Sequence, residues 1–221
     1  MRYYPIQLDL QGRRCLVVGG GAVGTRKAGT LHACGAEVVV VSPEATAELA
    51  AWAAAGRVQW RRRAYESSDL DGVFLAVGAT DDELLNRRLS AEARRRGVLC
   101  NIADRPELCD FILPALVQRG DLVITVSTSG KSPALAKRLR RELGQRYGEE
   151  YAVLLRLMGA VRRRLLAQAH APEEHRGRFE ALLDGGLLER LREGDLAGAD
   201  RVLSAVLGPE WKAEELLAEA D

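Results

Sequence analysis

The sequence predicts an α/β chain: a parallel sheet covered by helices, then an antiparallel hairpin with a helix, then a wholly helical region. Three observations carry this. Short β-branched runs such as EVVVV alternate with helical segments over roughly the first hundred residues, as βαβ units require. After Pro106 the rhythm changes, and two apolar segments (111–117 and 121–127) flank Arg119-Gly120-Asp121. From Tyr147 onward the pattern is helical, broken only at Pro172, Gly185-Gly186, Gly194 and Pro209. The expected organisation is a dinucleotide-binding-like α/β domain over 1–113, a hairpin-and-helix dimerisation region over 114–146 and a helical domain over 147–221.

Taken in order, residues 14–18 (RCLVV) read as a buried strand, and the turn from Gly19 to Gly24 leads into a helix ending near Cys34, with Gly35 as its stop. Residues 37–41 form a second strand, apolar in succession because both faces are covered. Ser42 suits an N-cap, with Pro43 at the first helical position. The Ala-rich helix that follows stops near Gly56, and residues 58–60 form a short third strand. Residues 73–78 make a fourth strand, Asp81 or Asp82 caps a helix running to about Arg96, and VLCNI after Gly97 is the fifth. The 111–127 hairpin leads to Ser132-Pro133, which starts a helix carrying Leu135, Leu139 and Leu143 on one face.

At 221 residues the chain can bury a substantial core. Lys plus Arg (32) nearly cancels Asp plus Glu (31), leaving +1, so no global field points to nucleic acid or an anionic membrane. No run of about 18 apolar residues is free of charge, which removes a membrane span. The N-terminus has no continuous apolar stretch followed by a small-residue cleavage site, so the expected location is the cytoplasm. Cys15, Cys34, Cys100 and Cys109 fit neither a zinc knuckle nor a secreted disulfide scaffold and read as buried thiols. His32, His170 and His175 form no recognisable metal set, so no metal site is expected.

Gly19-x-Gly21-x-x-Gly24 follows a strand and opens a helix, the context in which this motif signals a Rossmann-type site for NAD. The first glycine permits a tight turn, the second lets backbone approach a pyrophosphate, and the third allows close helix–strand packing. Ala22 and Val23 lie between the glycines, at the helix N-terminus that would face phosphate charge. At the tip of the second strand stand Ser42, Pro43 and Glu44; the acid suits either ribose recognition or first-turn helix chemistry. No arginine stands at this tip to pair a 2′-phosphate, which favours NAD over NADP. Ala79 and Thr80, after the fourth strand, complete the cofactor candidates.

Asp104 follows the fifth strand directly, at the carboxyl edge where open α/β sheets bind ligands. A nicotinamide enzyme that oxidises its substrate needs a group to accept a proton as hydride leaves, and a carboxylate can do so; loop-capping or an ion pair is the other use of that aspartate. The segment TVSTSGKS (125–132) is not a nucleoside-triphosphate loop, because Thr125 replaces its first glycine. What it offers is hydroxyls (Ser127, Thr128, Ser129, Ser132), Gly130, Lys131 and N–H groups at a helix start, all suited to carboxylate or phosphate oxygens.

GGGAVGTRKAGTL, AVGATDDELLN and CNIADRPELCDFILPALVQRGDLVITVSTSGKSPALAKRLR, in this order and spacing, resemble the siroheme synthase N-terminal family. The resemblance covers residues 1–145 closely and the helical tail loosely. It implies a Rossmann domain, a connector that builds an intertwined homodimer, and a helical C-terminal region. It also implies NAD-dependent oxidation of the tetrapyrrole precorrin-2 to sirohydrochlorin, with some members also inserting ferrous iron. The important aspartate of the family matches Asp104, and its serine-rich segment matches residues 127–132. Gly24 stands where many members have alanine, and Thr128-Ser129 where Ser-Gly or Thr-Gly is common. The many carboxylates of a precorrin call for cations in one cleft, and Arg105, Lys131 and Lys137 are the candidates.

Two other readings stand beside dehydrogenation alone. One is a bifunctional enzyme that also inserts iron. The other is a non-catalytic NAD-sensing dimeric module, which accounts for the glycine loop but leaves Asp104 and residues 127–132 without a role. A homodimer is expected in any of these cases, since the hairpin has open edges that a second chain can cover.

Overall fold

A computed structural model describes residues 3–167 and 172–219, with the helix but not the side chains given at 172–174. The chain divides into two compact units, Met1–Leu113 and Pro114–Asp221.

The first unit is a five-stranded, all-parallel sheet in the order β3-β2-β1-β4-β5. Its strands are β1 (Arg14–Val18), β2 (Glu37–Val41), β3 (Gln59–Arg61), β4 (Leu75–Gly78) and β5 (Leu99–Ile102). Between them run α1 (Ala22–Ala33), α2 (Ala47–Ala54) and α3 (Glu83–Arg95). In both β1 and β2 every residue after the first is buried, because each face of the sheet has its own core. Val17, Val38, Val40 and Leu49 pack with Ala28 and Leu31 of α1 on one face, and Leu16, Val39, Val41 and Ala76 pack with Leu89 and Ala93 of α3 on the other. The strand order reverses between β1 and β4, which opens a crevice at their carboxyl ends.

Two expectations need correction here. The helix after β2 does not start at Ser42-Pro43; it starts at Ala47, and Thr46 is the N-cap, accepting from the Leu49 N–H at 3.1 Å. Thr46 also donates its N–H to the Gly20 carbonyl (2.9 Å) and shares a 2.7 Å hydroxyl bond with Thr25, so the helix start is drawn onto the glycine turn. Nor are the cysteines uniformly buried. All four are free thiols; Cys15 and Cys100 are in the core, Cys109 is half-buried, and Cys34, at the C-cap of α1, is exposed because the helix has turned it away from the sheet.

Carboxylates pin the 61–72 excursion between β3 and β4. Asp69, with its side chain fully buried, receives Arg61 (2.7 Å) and two Arg63 bonds (2.6 and 2.8 Å), and caps the Glu66 N–H. Burial alone would raise its carboxyl, but the bonds from Arg63, the Glu66 N–H and Arg61 outweigh it and hold the group down at about 2. Glu92 of α3 likewise receives Tyr65, Ser67 and Arg88, and these overcome the upward push of burial to leave it at about 2.

The second unit opens with a hairpin of β6 (Ala115–Arg119) and β7 (Leu122–Val126), joined through Gly120-Asp121, with Gly120 at φ +54°. Next comes α4 (Pro133–Arg146), capped by Ser132 and buried at none of its positions. The remaining helices are α5 (Glu150–Ala167), α6 (Pro172–Asp184), α7 (Leu187–Glu193), α8 (Leu196–Leu207) and α9 (Ala213–Ala218). They close around Leu157, Leu182, Leu187, Leu203, Trp211 and Leu216, all essentially inaccessible. Among the described residues no helix is long and apolar enough to cross a membrane, and no group of three or more His, Cys, Asp and Glu side chains could hold a metal. His32 lies on α1 and His175 is buried on α6; His170 lies outside the described residues.

Candidate functional site

The turn between β1 and α1 is built from backbone alone. Gly19 sits at φ +114°, and a Cβ there would strike the Ala79 carbonyl beyond β4. A Cβ on Gly24 would strike the Gly19 carbonyl, so this backbone requires glycine there. Gly20 has the same constraint: its Cβ would meet the Glu44 carbonyl and the Ser42 side chain. The motif spacing gives that third close approach no role, because the partner arrives from the β2 tip. Around Gly21, by contrast, nothing lies within 4 Å of a Cβ position. Gly21 caps α1 without a side-chain bond, and the first turn of α1 holds no acid. Uncapped N–H groups at a helix start beneath open space fit a pyrophosphate, so the residues present suit a dinucleotide.

The second turn, after β5, is built from side chains. Ala103 extends the ladder by donating to the Gly78 carbonyl (2.8 Å), and Asp104 then adopts φ +58°, a left-handed conformation unusual outside glycine. Residues 109–111 return alongside β5. The Asp110 N–H donates to the Cys100 carbonyl (2.9 Å), while the Asp110 carboxylate accepts the Cys100 N–H (3.0 Å). Buried Asn101 donates to the Phe111 carbonyl at 3.0 Å, and Ser90 of α3 donates to that of Leu108 at 2.8 Å.

Between the two turns lies a cleft of about 240 Å³ lined by Val23, Ala79, Thr80, Asp81, Glu83, Asn86, Ala103, Asp104 and Arg105. Sequence candidates from three separate segments, Val23, Ala79-Thr80 and Asp104-Arg105, meet here. A larger hollow of about 520 Å³, lined by Arg13, Arg14, Glu37 and Phe74, lies at the opposite, amino-terminal strand ends and holds none of the candidate residues. In the cleft Asn86 is buried and donates to the Thr80 carbonyl (2.9 Å), fixing the loop after β4. Arg105 faces Glu83 at 3.8 Å, with both about half exposed, a pair worth at most about 1 kcal/mol.

Lys27 stands in the first turns of α1, where the helix dipole disfavours a cation and where the sequence also allows a solvated surface charge. One turn along α1 from Val23 and half-buried, its ammonium is held below the ordinary lysine range by burial and then by Arg26, while Asp104 and Cys109 pull the other way. It is therefore only partly solvated. At the β2 tip, Ser42 bonds the backbone of Arg61 (3.2 Å), so an arginine run does reach this tip, from β3. Arg61 and Arg63 are taken up by Asp69, and Arg62 lies over the Trp60 ring at 5.7 Å. Pro43 and Glu44 are exposed.

Of the second candidate set, Ser127, Ser129, Gly130, Lys131 and Lys137 are exposed in the second unit, and Thr128 and Ser132 are half-buried. Their bonds are local. Thr128 accepts the Ser132 N–H (3.1 Å), Ser127 accepts that of Ser129 (3.2 Å), and Ser132 accepts that of Leu135 (3.2 Å). Ser129 at φ +52° is the other non-glycine residue in the left-handed region among those described.

Comparison with known proteins agrees with this architecture. The NAD(P)-binding family model NAD_binding_7 matches residues 6–115, and the model for the sirohaem biosynthesis protein central region matches 119–146. The chain is similar to the siroheme synthase of Pseudomonas entomophila (41% identical over 207 residues) and of Nitrosococcus oceani (36% over 207 residues). Each match covers 94% of this chain and 45% or 44% of the relative, so the chain spans less than half the length of these curated relatives. A solved structure titled "SirC, precorrin-2 dehydrogenase" superposes with a TM-score of 0.70 at 30% identity, covering 92% of this chain and 98% of that one. The first unit is thus an NAD(P)-binding domain of the Rossmann type, and the chain belongs to the siroheme synthase N-terminal family that includes this precorrin-2 dehydrogenase.

Proposed function

We propose that this protein oxidises precorrin-2 to sirohydrochlorin with NAD as the acceptor. The observation that carries the reading is the 240 Å³ cleft in which Asp104 meets the loop after β4 beside the start of α1, on an NAD(P)-binding sheet. The similarity to a precorrin-2 dehydrogenase over nearly the full length of both chains supports the substrate. Gly19, Gly21 and Gly24, with Ala22 and Val23, would hold the pyrophosphate, and Ala79 and Thr80 would line the path toward Asp104. When bound, NAD supplies a hydride acceptor. Loss of a hydride leaves a substrate C–H or N–H acidic, and the Asp104 carboxylate takes that proton. Arg105 and Lys27 offer positive charge beside it for the substrate carboxylates. Residues 127–132, with Lys137, add hydroxyls and cations for the same purpose.

NAD rather than NADP suits the β2 tip, because two of the three arginines reaching it are committed to buried Asp69. A homodimer is part of the proposal: Leu113, Leu116 and Leu135 are 53, 43 and 47% exposed, apolar surface that a second copy would cover. Four free thiols suit a reducing cytoplasm.

The test follows NADH formation with precorrin-2 generated enzymatically in the cuvette. Wild type turns over, and Asp104→Asn loses about a hundredfold or more in kcat with its NAD affinity retained. A wild type without turnover refutes the activity; Asp104→Asn at the wild-type rate refutes the role of Asp104.

A further inference from the structure

Asp104 is held at φ +58° and, among the described residues, its side chain makes no hydrogen bond that would enforce this, so the constraint comes from its neighbours. Ile102 and Arg105 flank the turn, and one side chain touches both. The Cys109 sulfur accepts the Ile102 N–H at 3.2 Å and faces the carbonyls of Ile102 (3.2 Å) and Arg105 (3.1 Å), with Asn101 Nδ2 at 3.5 Å. A single thiol therefore spans the base of the turn, from the end of β5 to the residue after Asp104. It is half-buried, and burial, the largest influence, pushes the thiol up, which keeps the S–H available to donate at neutral pH.

We propose that Cys109 is a positioning residue for Asp104, clamping residues 102–105 so that the carboxylate projects at the carboxyl edge of the sheet. This rests on the reading of Asp104 as proton acceptor. The clamp needs an atom that accepts from one backbone group and donates to another. Serine keeps that chemistry with a shorter reach, whereas valine fills the space and offers neither.

The experiment compares full-length wild type, Cys109→Val, Cys109→Ala, Cys109→Ser, Asp104→Asn and the Asp104→Asn/Cys109→Val double variant. Readouts are kcat with precorrin-2, NAD affinity by direct titration and peptide-level hydrogen exchange. Expected for Cys109→Val and Cys109→Ala is a loss of about tenfold or more in kcat, since a displacement near 1 Å suffices for that, with NAD affinity within about twofold of wild type. Exchange rises across residues 102–106 and not across 19–24. Cys109→Ser recovers most of the rate, and the double variant is no slower than Asp104→Asn.

Wild-type kcat in either Cys109→Val or Cys109→Ala, with Asp104→Asn inactive, overturns the clamp alone. So does a loss of rate with an equal loss of NAD affinity, or one that serine leaves unrepaired. Asp104→Asn at the wild-type rate overturns the underlying reading and this proposal with it. Should Cys109→Val not fold, Cys109→Ala and the exchange data on Cys109→Ser decide.

Discussion

The two turns that border the cleft are made in opposite ways. The β1–α1 turn takes its shape from side chains that are missing, since Gly19, Gly20 and Gly24 each lie where a Cβ would strike a carbonyl oxygen. The β5 turn takes its shape from side chains that are present: Cys109, Asp110, Asn101 and Ser90 each bond to backbone and bring residues 103–111 back along β5. A turn of the first kind has no adjustable part at these three positions, so a side chain at any of them distorts it. A turn of the second kind is redundant and should weaken by degrees, losing geometry before it loses the fold.

The largest effect tests that contrast directly. Gly19→Val places a branched side chain at φ +114° against the Ala79 carbonyl. NAD binding should fall by more than about a hundredfold with a stability loss of roughly 3 kcal/mol, measured by titration and thermal melting. NAD affinity at the wild-type level would show that the glycine turn is as adaptable as its counterpart. Asn101→Ala removes a buried side chain and leaves the carbonyl of half-buried Phe111 without its donor, and should cost about 1 kcal/mol or more in chemical denaturation, with NAD affinity retained. A loss of NAD affinity as large as that of Gly19→Val would erase the distinction.

Acid provides the third test, against the carboxylates of the 61–72 excursion. Asp69 and Glu92 are both held at about 2 in the folded protein, below the ordinary unfolded values of about 4. A depressed folded pKa adds stability above the unfolded value and loses it as the folded value is approached. The melting temperature should therefore fall as pH drops from about 5 toward about 2, more steeply than in Asp69→Asn. Parallel curves for the two proteins would mean that Asp69 carries no linkage. The smallest effect is Thr46→Ala, which removes the α2 cap and the Thr25 bond for about 1 kcal/mol by denaturant titration. Because Thr46 also bonds the Gly20 carbonyl through backbone that alanine keeps, NAD affinity should change little.

Much of the fold is legible in the sequence because it rests on local rules. The buried runs RCLVV and EVVVV mark β1 and β2, Asp82 and Ser132 cap their helices, and Gly19, Gly21 and Gly24 mark the β1–α1 turn by spacing. The start of α2 is misread because Ser42-Pro43 is a sound helix start by itself, and only contact with Gly20 and Thr25 moves the cap to Thr46. The β2 tip looks free of arginine for a similar reason, since Arg61 is remote in sequence and adjacent only once β3 pairs with β2. Lys27, Asn86 and Cys109 give no motif signal, because each acts through partners brought near by the sheet.

The sequence by itself determined the α/β class, the glycine turn, the hairpin and the presence of Asp104 at a strand end, all of which depend on periodicity, capping and backbone freedom over a few residues. Only the tertiary structure decided that Val23, Thr80 and Asp104 share one cleft, and that a thiol five residues away spans the base of the Asp104 turn. Those contacts arise when parallel strands align their carboxyl ends, and an alignment between residues far apart in the chain leaves no period in the sequence.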